Sequence, residues 1–204
     1  LVTDRLRIAL AQLNPTVGAI EANLALALGT LSDAVAAGAD IVLFSELFLT
    51  GYFPDDLLFK PRFVADAMAA AERFAAATAG TGITAIMPSI WPEDGRLYNA
   101  VLVCEAGRIV ARRMKRELPN DDIFYEKRYF ERADLQEPVT IKGVSIGIPI
   151  CEDVWHPDVC RHLVDHGLHG GGRGLDGAGG RPHPPRFPPG RQERAIPGDS
   201  CRTA

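Results

Sequence analysis

Three separated segments each end in one reactive side chain: Phe-Ser-Glu46, Met-Lys115-Arg-Glu-Leu-Pro-Asn and Ile-Cys151-Glu-Asp-Val-Trp. A thiol, a carboxylate and an amine are the set that nucleophilic attack on an amide requires. Cys151 follows the apolar run VSIGIPI, so it stands where a buried strand ends and the backbone turns. At the N-terminus of a following helix its sulfur would be exposed and its pKa lowered. The competing reading is a buried structural cysteine, the commoner fate of that residue. Glu46 ends the apolar run DIVLFS, where an unpaired carboxylate is costly. As a general base it would take the thiol proton and later activate water; otherwise it caps the next turn. Lys115 ends RIVARRM, and its ammonium would hold an oxyanion. Otherwise it is a solvated member of the basic cluster Arg112, Arg113, Lys115 and Arg116.

The elements that must position these residues follow from periodicity. Residues 6–13 read as a buried strand, and 19–38 as a helix with Leu24, Leu28, Leu31 and Val35 on one face, closed by Gly38. Residues 40–45 read as a second strand. Residues 61–79 read as a helix with Phe63, Ala67, Ala70 and Phe74 at helical spacing. Strands come next at 82–90, 98–105, 108–114, 139–142 and 144–150, and a helix begins near Pro157. Asp94-Gly95 and Ala106-Gly107 are hairpin signals. Alternating strands and helices followed by several strands predict an α/β layered domain. In such sheets ligands gather at the carboxyl ends of strands, where both Glu46 and Cys151 fall.

Composition limits the alternatives. Hydrophobic residues make up 47% of the 204 and the net charge is −4, so nothing in the total invites nucleic acid. No run approaches the ~20 apolar residues of a membrane helix, and the start LVTDRLRIALAQ lacks a signal-peptide layout. Four cysteines do not make a disulfide framework, which predicts a reducing, cytoplasmic setting. Cys104 and Cys160 read as packing residues; Cys201 has no evident role. Cys151, His156, Cys160 and His162 lie within twelve residues, but they lack a paired C-x-x-C and Pro157 interrupts them, so no metal is expected. The first residue is Leu, as a non-standard start, a processed end or a gene fragment would each give.

Residues 1–165 read as one domain, or the N-terminal part of one, and residues 166–204 as something else. That final stretch holds half of the chain's 20 glycines, 6 of its 15 prolines and six arginines, with no lysine and few large apolar residues. Such a composition cannot bury enough surface to order itself. It reads as a Gly/Pro/Arg-rich tail, or as a GC-rich gene translated out of frame. Its HGGGRGLDGAGG run lacks the Gly-Lys-Ser/Thr ending of a phosphate loop.

Taken together, the three segments resemble the carbon–nitrogen hydrolase (nitrilase) superfamily, with its Glu-Lys-Cys triad. SELFLTGYFPDDLL, Tyr98-Asn99-Ala, KRELPN with the nearby EKRYF, and ICEDVW are similar to the glutaminase domain of glutamine-dependent NAD synthetases. The resemblance covers residues 5–165. It implies an α-β-β-α sandwich in which Cys151 attacks the side-chain amide of L-glutamine, giving a glutamyl thioester and ammonia. Glu46 matches the family's base and Lys115 its oxyanion-stabilising lysine. Tyr52 matches a tyrosine that shapes the glutamine pocket, and Glu152 a residue near the substrate. The amidase half needs no cofactor. ATP and Mg would belong to a synthetase domain or chain that receives the ammonia and converts deamido-NAD to NAD, and full-length relatives form homo-oligomers.

The chain departs from the pattern at Asp121, where the family usually has Tyr. Nothing in residues 166–204 resembles the family's next strand and substrate loop, so the second half of the sandwich and the synthetase domain are missing from the sequence as written. The expectation is poor solubility or partial folding, because an unfinished sandwich exposes apolar surface and a strand edge. Two further readings stand beside the glutaminase: a stand-alone nitrilase-type amidase on another small amide, and a catalytically idle truncated fragment.

Overall fold

Alternation of side chains along two central strands sorts the core into two layers. A computed structural model describes residues 5–167; the reading of the tail, from Leu168 onward, lies outside them, as does Cys201. Strands β1 (Ile8–Ala11), β2 (Ile41–Phe44), β3 (Thr84–Glu93), β4 (Arg96–Glu105) and β5 (Arg108–Met114) form one sheet in that order. The first three strands are parallel, and β3, β4 and β5 are antiparallel. Ala85, Met87, Leu102 and Cys104 face the layer holding helices α1 (Ile20–Ala36) and α2 (Pro61–Ala77). Ile86, Val101 and Val103 face the other way, against the hairpin of β6 (Val139–Ile141) and β7 (Val144–Ile146). The period of two along each strand produces this division. A nine-residue helix, α3 (Pro157–Asp165), comes after the Cys151 turn.

Turn chemistry sets the strand lengths. Asp94-Gly95 and Ala106-Gly107 both take left-handed φ at both positions, the backbone of a tight hairpin whose twist matches its strands. The ladder therefore runs to the turn, and β3 and β4 are longer than the apolar pattern predicts. Lys142-Gly143 makes a third such turn, which its sequence does not single out. The predicted strand over 144–150 stops at Ile146, because β6 offers partners only from Val139 to Ile141 and Pro149 brings no N–H.

Helix α1 corrects the expected face. Leu24 and Leu31 are buried, but Val35 is 37% exposed and Ala27 and Ala34 take the inner positions. The opposing surface of α2 is also small: Ala67, Ala70 and Ala71 are buried around Phe74. The buried positions of α1 thus go to Ala27 and Ala34 rather than to the larger Val35. Phe74 meets Phe44 edge-on at 5.5 Å between centroids, and Phe44 lies 4.9 Å from Phe48; such pairs contribute about 0.5–1.5 kcal/mol each beyond their area.

Strand β1 lies at the edge of the sheet. Ile8 and Leu10 pair in register with Ile41 and Leu43 on the hairpin side of the sheet, and are 51% and 65% exposed. The apolar layer that covers β3 and β4 there does not reach them.

Candidate active site

Glu46 sits just beyond β2, anchored by the three residues after it. Leu47, Phe48 and Leu49 are fully buried. The turn they enter is tied to α1 by Asn23, whose Nδ2 donates to the carbonyls of Thr16 at 2.8 Å and Leu49 at 3.1 Å. Gly18 N–H donates to Thr50 at 2.9 Å. Gly51 has φ +76, and a Cβ there would lie 2.5 Å from Val17 Cα. Only glycine lets these two backbones meet.

Lys115 comes directly after β5. Its N–H donates to the Asn99 carbonyl at 2.8 Å, carrying the ladder one residue past the strand. Its side chain has no solvent exposure, which removes the reading of Lys115 as a surface cation. Nζ lies 2.7 Å from Glu46 Oε1 and 2.8 Å from Glu126 Oε1. Burial opposes the ammonium, but the charges of Glu46 and Glu126 outweigh it and hold the lysine pKa above its ordinary value. Two of the three ammonium N–H groups are taken by carboxylates, leaving one donor for another oxygen.

Glu126 and Asn99 complete the cluster, and sequence reasoning named neither as a site residue. Glu126 opens a short 3-10 turn, Glu126–Arg128, and is buried. Its N–H donates to the Pro119 carbonyl at 3.1 Å. Phe53 packs edge-on against Tyr129 and Phe130, at 5.4 and 5.9 Å between centroids, which braces that turn. Asn99, in β4, donates from Nδ2 to Glu46 Oε1 at 2.8 Å. The signals available were positional: both residues lie inside the family-like segments Tyr98-Asn99-Ala and EKRYF.

Cys151 opens a five-residue 3-10 turn, Cys151–Trp155, with φ +46. It is exposed, as expected. The expected lowering of its pKa is corrected. Burial raises the thiol first, and the Glu46 carboxylate adds to this by charge and as a hydrogen-bond acceptor. Lys115 opposes them, and the thiol is pushed up to about 11. A short turn supplies no helix dipole to offset a neighbouring carboxylate. Tyr52 donates its hydroxyl to Glu126 Oε1 at 3.3 Å; burial, then Glu126 and Glu46, hold that hydroxyl above its usual pKa range. The structure thus brings together Glu46, Lys115, Cys151 and Tyr52. Glu152 points elsewhere, 3.5 Å from His156 Nε2. Asp121 is exposed in the loop before Glu126. Cys104 is buried in β4 and pushed up to about 12 by burial alone, as a packing residue would be. Cys160 Sγ lies 3.8 Å from the Val154 carbonyl. Among the described residues no group of three or more His, Cys, Asp or Glu side chains could hold a metal ion, and no helix is long and apolar enough to cross a membrane.

The cluster is a buried ammonium between two carboxylates, beside a thiol, in a layered α/β fold. The carbon-nitrogen hydrolase profile matches residues 7–169, and the chain belongs to that family. It is 46% identical over 166 residues to the glutamine-dependent NAD(+) synthetase of Rhodobacter capsulatus, covering 81% of this chain and 30% of that protein. The fold is similar to the glutamine-dependent NAD(+) synthetase of Acinetobacter baumannii in complex with ADP: TM-score 0.73, 30% identity, 78% of this chain and 30% of that one. It is also similar to an amidase from Nesterenkonia sp. AN1, a variant of which shows covalent addition of the acetamide moiety of fluoroacetamide at its active-site cysteine. There the TM-score is 0.69 at 25% identity, covering 79% of this chain and 62% of that one. These neighbours bear out the nitrilase-type α/β fold. The chain spans about 30% of the length of the curated synthetase relative it matches.

Proposed function

We propose that this chain carries the glutaminase chemistry of a glutamine-dependent NAD synthetase, with Cys151 as nucleophile, Glu46 as base and Lys115 as oxyanion donor. The observation that carries the reading is the fully buried Lys115 ammonium, paired with Glu46 at 2.7 Å and Glu126 at 2.8 Å. A buried charge costs several kcal/mol unless well-placed partners offset it, and here both partners are carboxylates of the same cluster.

Because the thiol is neutral near pH 7, attack and proton transfer are coupled. The Cys151 S–H proton passes to Glu46 as sulfur bonds to the carboxamide carbon, and the C=O electron pair moves onto oxygen. The remaining Lys115 N–H faces that developing oxyanion. Collapse of the intermediate breaks the C–N bond, and the proton held by Glu46 leaves with the amine as ammonia. A water then attacks the thioester with Glu46 as base, releasing glutamate and restoring the thiol. Tyr52 lines the glutamine pocket through its contact with Glu126. Glu152, whose carboxylate lies 3.5 Å from His156 Nε2, takes no step in this scheme. In the full reading the ammonia serves an ATP-using synthetase domain or chain that makes NAD from deamido-NAD, in a cytoplasmic homo-oligomer.

A second reading, an amidase on another small amide, is favoured by the likeness to the Nesterenkonia amidase. Ammonia release from glutamine, butyramide and acetamide separates them. Glutamine turnover abolished in Cys151→Ala supports the glutaminase. Turnover of the simple amides alone supports the second reading, and turnover of none leaves a catalytically idle chain.

A further inference from the structure

The nucleophile and the lysine come from distant segments, and one carboxylate joins them. Asp153 is 3% exposed. Its Oδ2 accepts the Ile150 N–H at 3.0 Å, one residue before Cys151. Its Oδ1 accepts the N–H groups of Arg116 at 3.2 Å and Glu117 at 2.7 Å, the two residues after Lys115. The Asp153 N–H donates back to the Ile150 carbonyl at 3.0 Å, and the His156 N–H donates to the Asp153 carbonyl at 3.2 Å. The turn is thereby closed on itself and fastened to the end of β5.

That fastening has something to hold. Cys151 adopts φ +46, a backbone a non-glycine residue keeps only when its surroundings over-determine it. Three N–H donors converge on one buried carboxylate, a geometry that an amide or a shorter side chain cannot satisfy. Resting on the amide-hydrolysis reading above, we propose that Asp153 is a positioning residue: it sets the place of the Cys151 sulfur relative to Lys115 and Glu46 by clamping the Ile150 and Arg116–Glu117 backbones together. It touches no reacting atom.

The test is Asp153→Asn in the 204-residue chain. The amide keeps the shape but turns one acceptor into a donor that faces a backbone N–H. Iodoacetamide labelling of Cys151, with peptide mass spectrometry against pH, reads the sulfur's surroundings, with Cys160 as internal reference. Released from Glu46, the thiol moves back towards the ordinary cysteine value. Labelling at pH 8 then rises at least fivefold at Cys151 and stays unchanged at Cys160, while kcat for glutamine falls at least tenfold with KM within threefold. A folded variant with Cys151 labelling within twofold of the parent overturns the clamp. If Asp153→Asn does not fold, Asp153→Glu, which keeps both acceptor oxygens on a longer arm, replaces it. Displaced labelling then supports the clamp, and parental labelling overturns it. Unfolding of both variants also overturns it, in favour of a purely structural role. Labelling decides the clamp whether or not the parent hydrolyses glutamine, so its failure and that of the glutaminase reading are distinguishable.

Discussion

Lys115 Nζ and Glu46 Oε1 lie 2.7 Å apart, although 69 residues separate them in the chain. Glu126 closes on the same ammonium from the other side, at 2.8 Å. One cation thus bridges two carboxylates that would otherwise repel each other, and the ionised trio keeps one net negative charge.

Lys115→Met removes that cation and leaves the carboxylates facing each other. Breaking a buried pair from one side costs about 3–5 kcal/mol, read as a lower urea midpoint. The folded-state pKa of Lys115 is raised. Its contribution is therefore complete below the ordinary lysine value of about 10.4 and is lost as pH climbs through the higher folded value. The stability gap between parent and variant should narrow above pH 10.5. A gap independent of pH there would contradict the pairing.

Glu46→Gln should lower the Cys151 pKa from about 11, because the carboxylate charge that opposes the thiolate is gone. The midpoint of iodoacetamide labelling against pH is the measurement. A midpoint unchanged or raised would show that Glu46 does not act on the sulfur.

The corrected face of α1 predicts opposite outcomes along one helix. Ala27 is fully buried, so Ala27→Leu overfills the core around it and costs about 1–3 kcal/mol. Val35→Lys falls on the outer face and should stay within about 0.5 kcal/mol of the parent. Equal losses would restore the leucine-and-valine stripe.

Gly51→Ala combines a left-handed backbone with a Cβ 2.5 Å from Val17 Cα. Neither backbone can yield cheaply, and a loss above about 2 kcal/mol is expected. A thermal midpoint within 2 °C of the parent, on the order of 0.5 kcal/mol for a chain of this size, would mean the turn relaxes.

Glu46, Lys115 and Cys151 were legible because each ends an apolar run, and strand ends converge. Glu126 and Asn99 were not. Asn99 lies within a strand whose alternation looks complete without it, and Glu126 sits among charged and aromatic neighbours that read as surface. Their burial comes from tertiary packing, from Phe53 against Tyr129 and Phe130 and from β4 beside β5. The hairpins at Asp94-Gly95 and Ala106-Gly107 were readable because φ > 0 demands such residues. The buried face of α1 was not, since periodicity places Val35 near the apolar face but cannot show which positions tertiary packing covers. The direction of the Cys151 shift escaped for a similar reason. It depends on a carboxylate 105 positions earlier and on the shortness of the turn the cysteine opens.

The raised Cys151 thiol bears on survival as well as on turnover. Peroxides, like alkylating agents, attack thiolates rather than thiols. With its pKa held well above neutrality, at about 11, the sulfur rests overwhelmingly as the thiol at neutral pH. The resting sulfur is therefore a poor target for oxidants despite being open to solvent. On the proposed mechanism the thiolate forms only as Glu46 takes the proton in the presence of an amide, so exposure to solvent does not by itself commit the cysteine to oxidative loss.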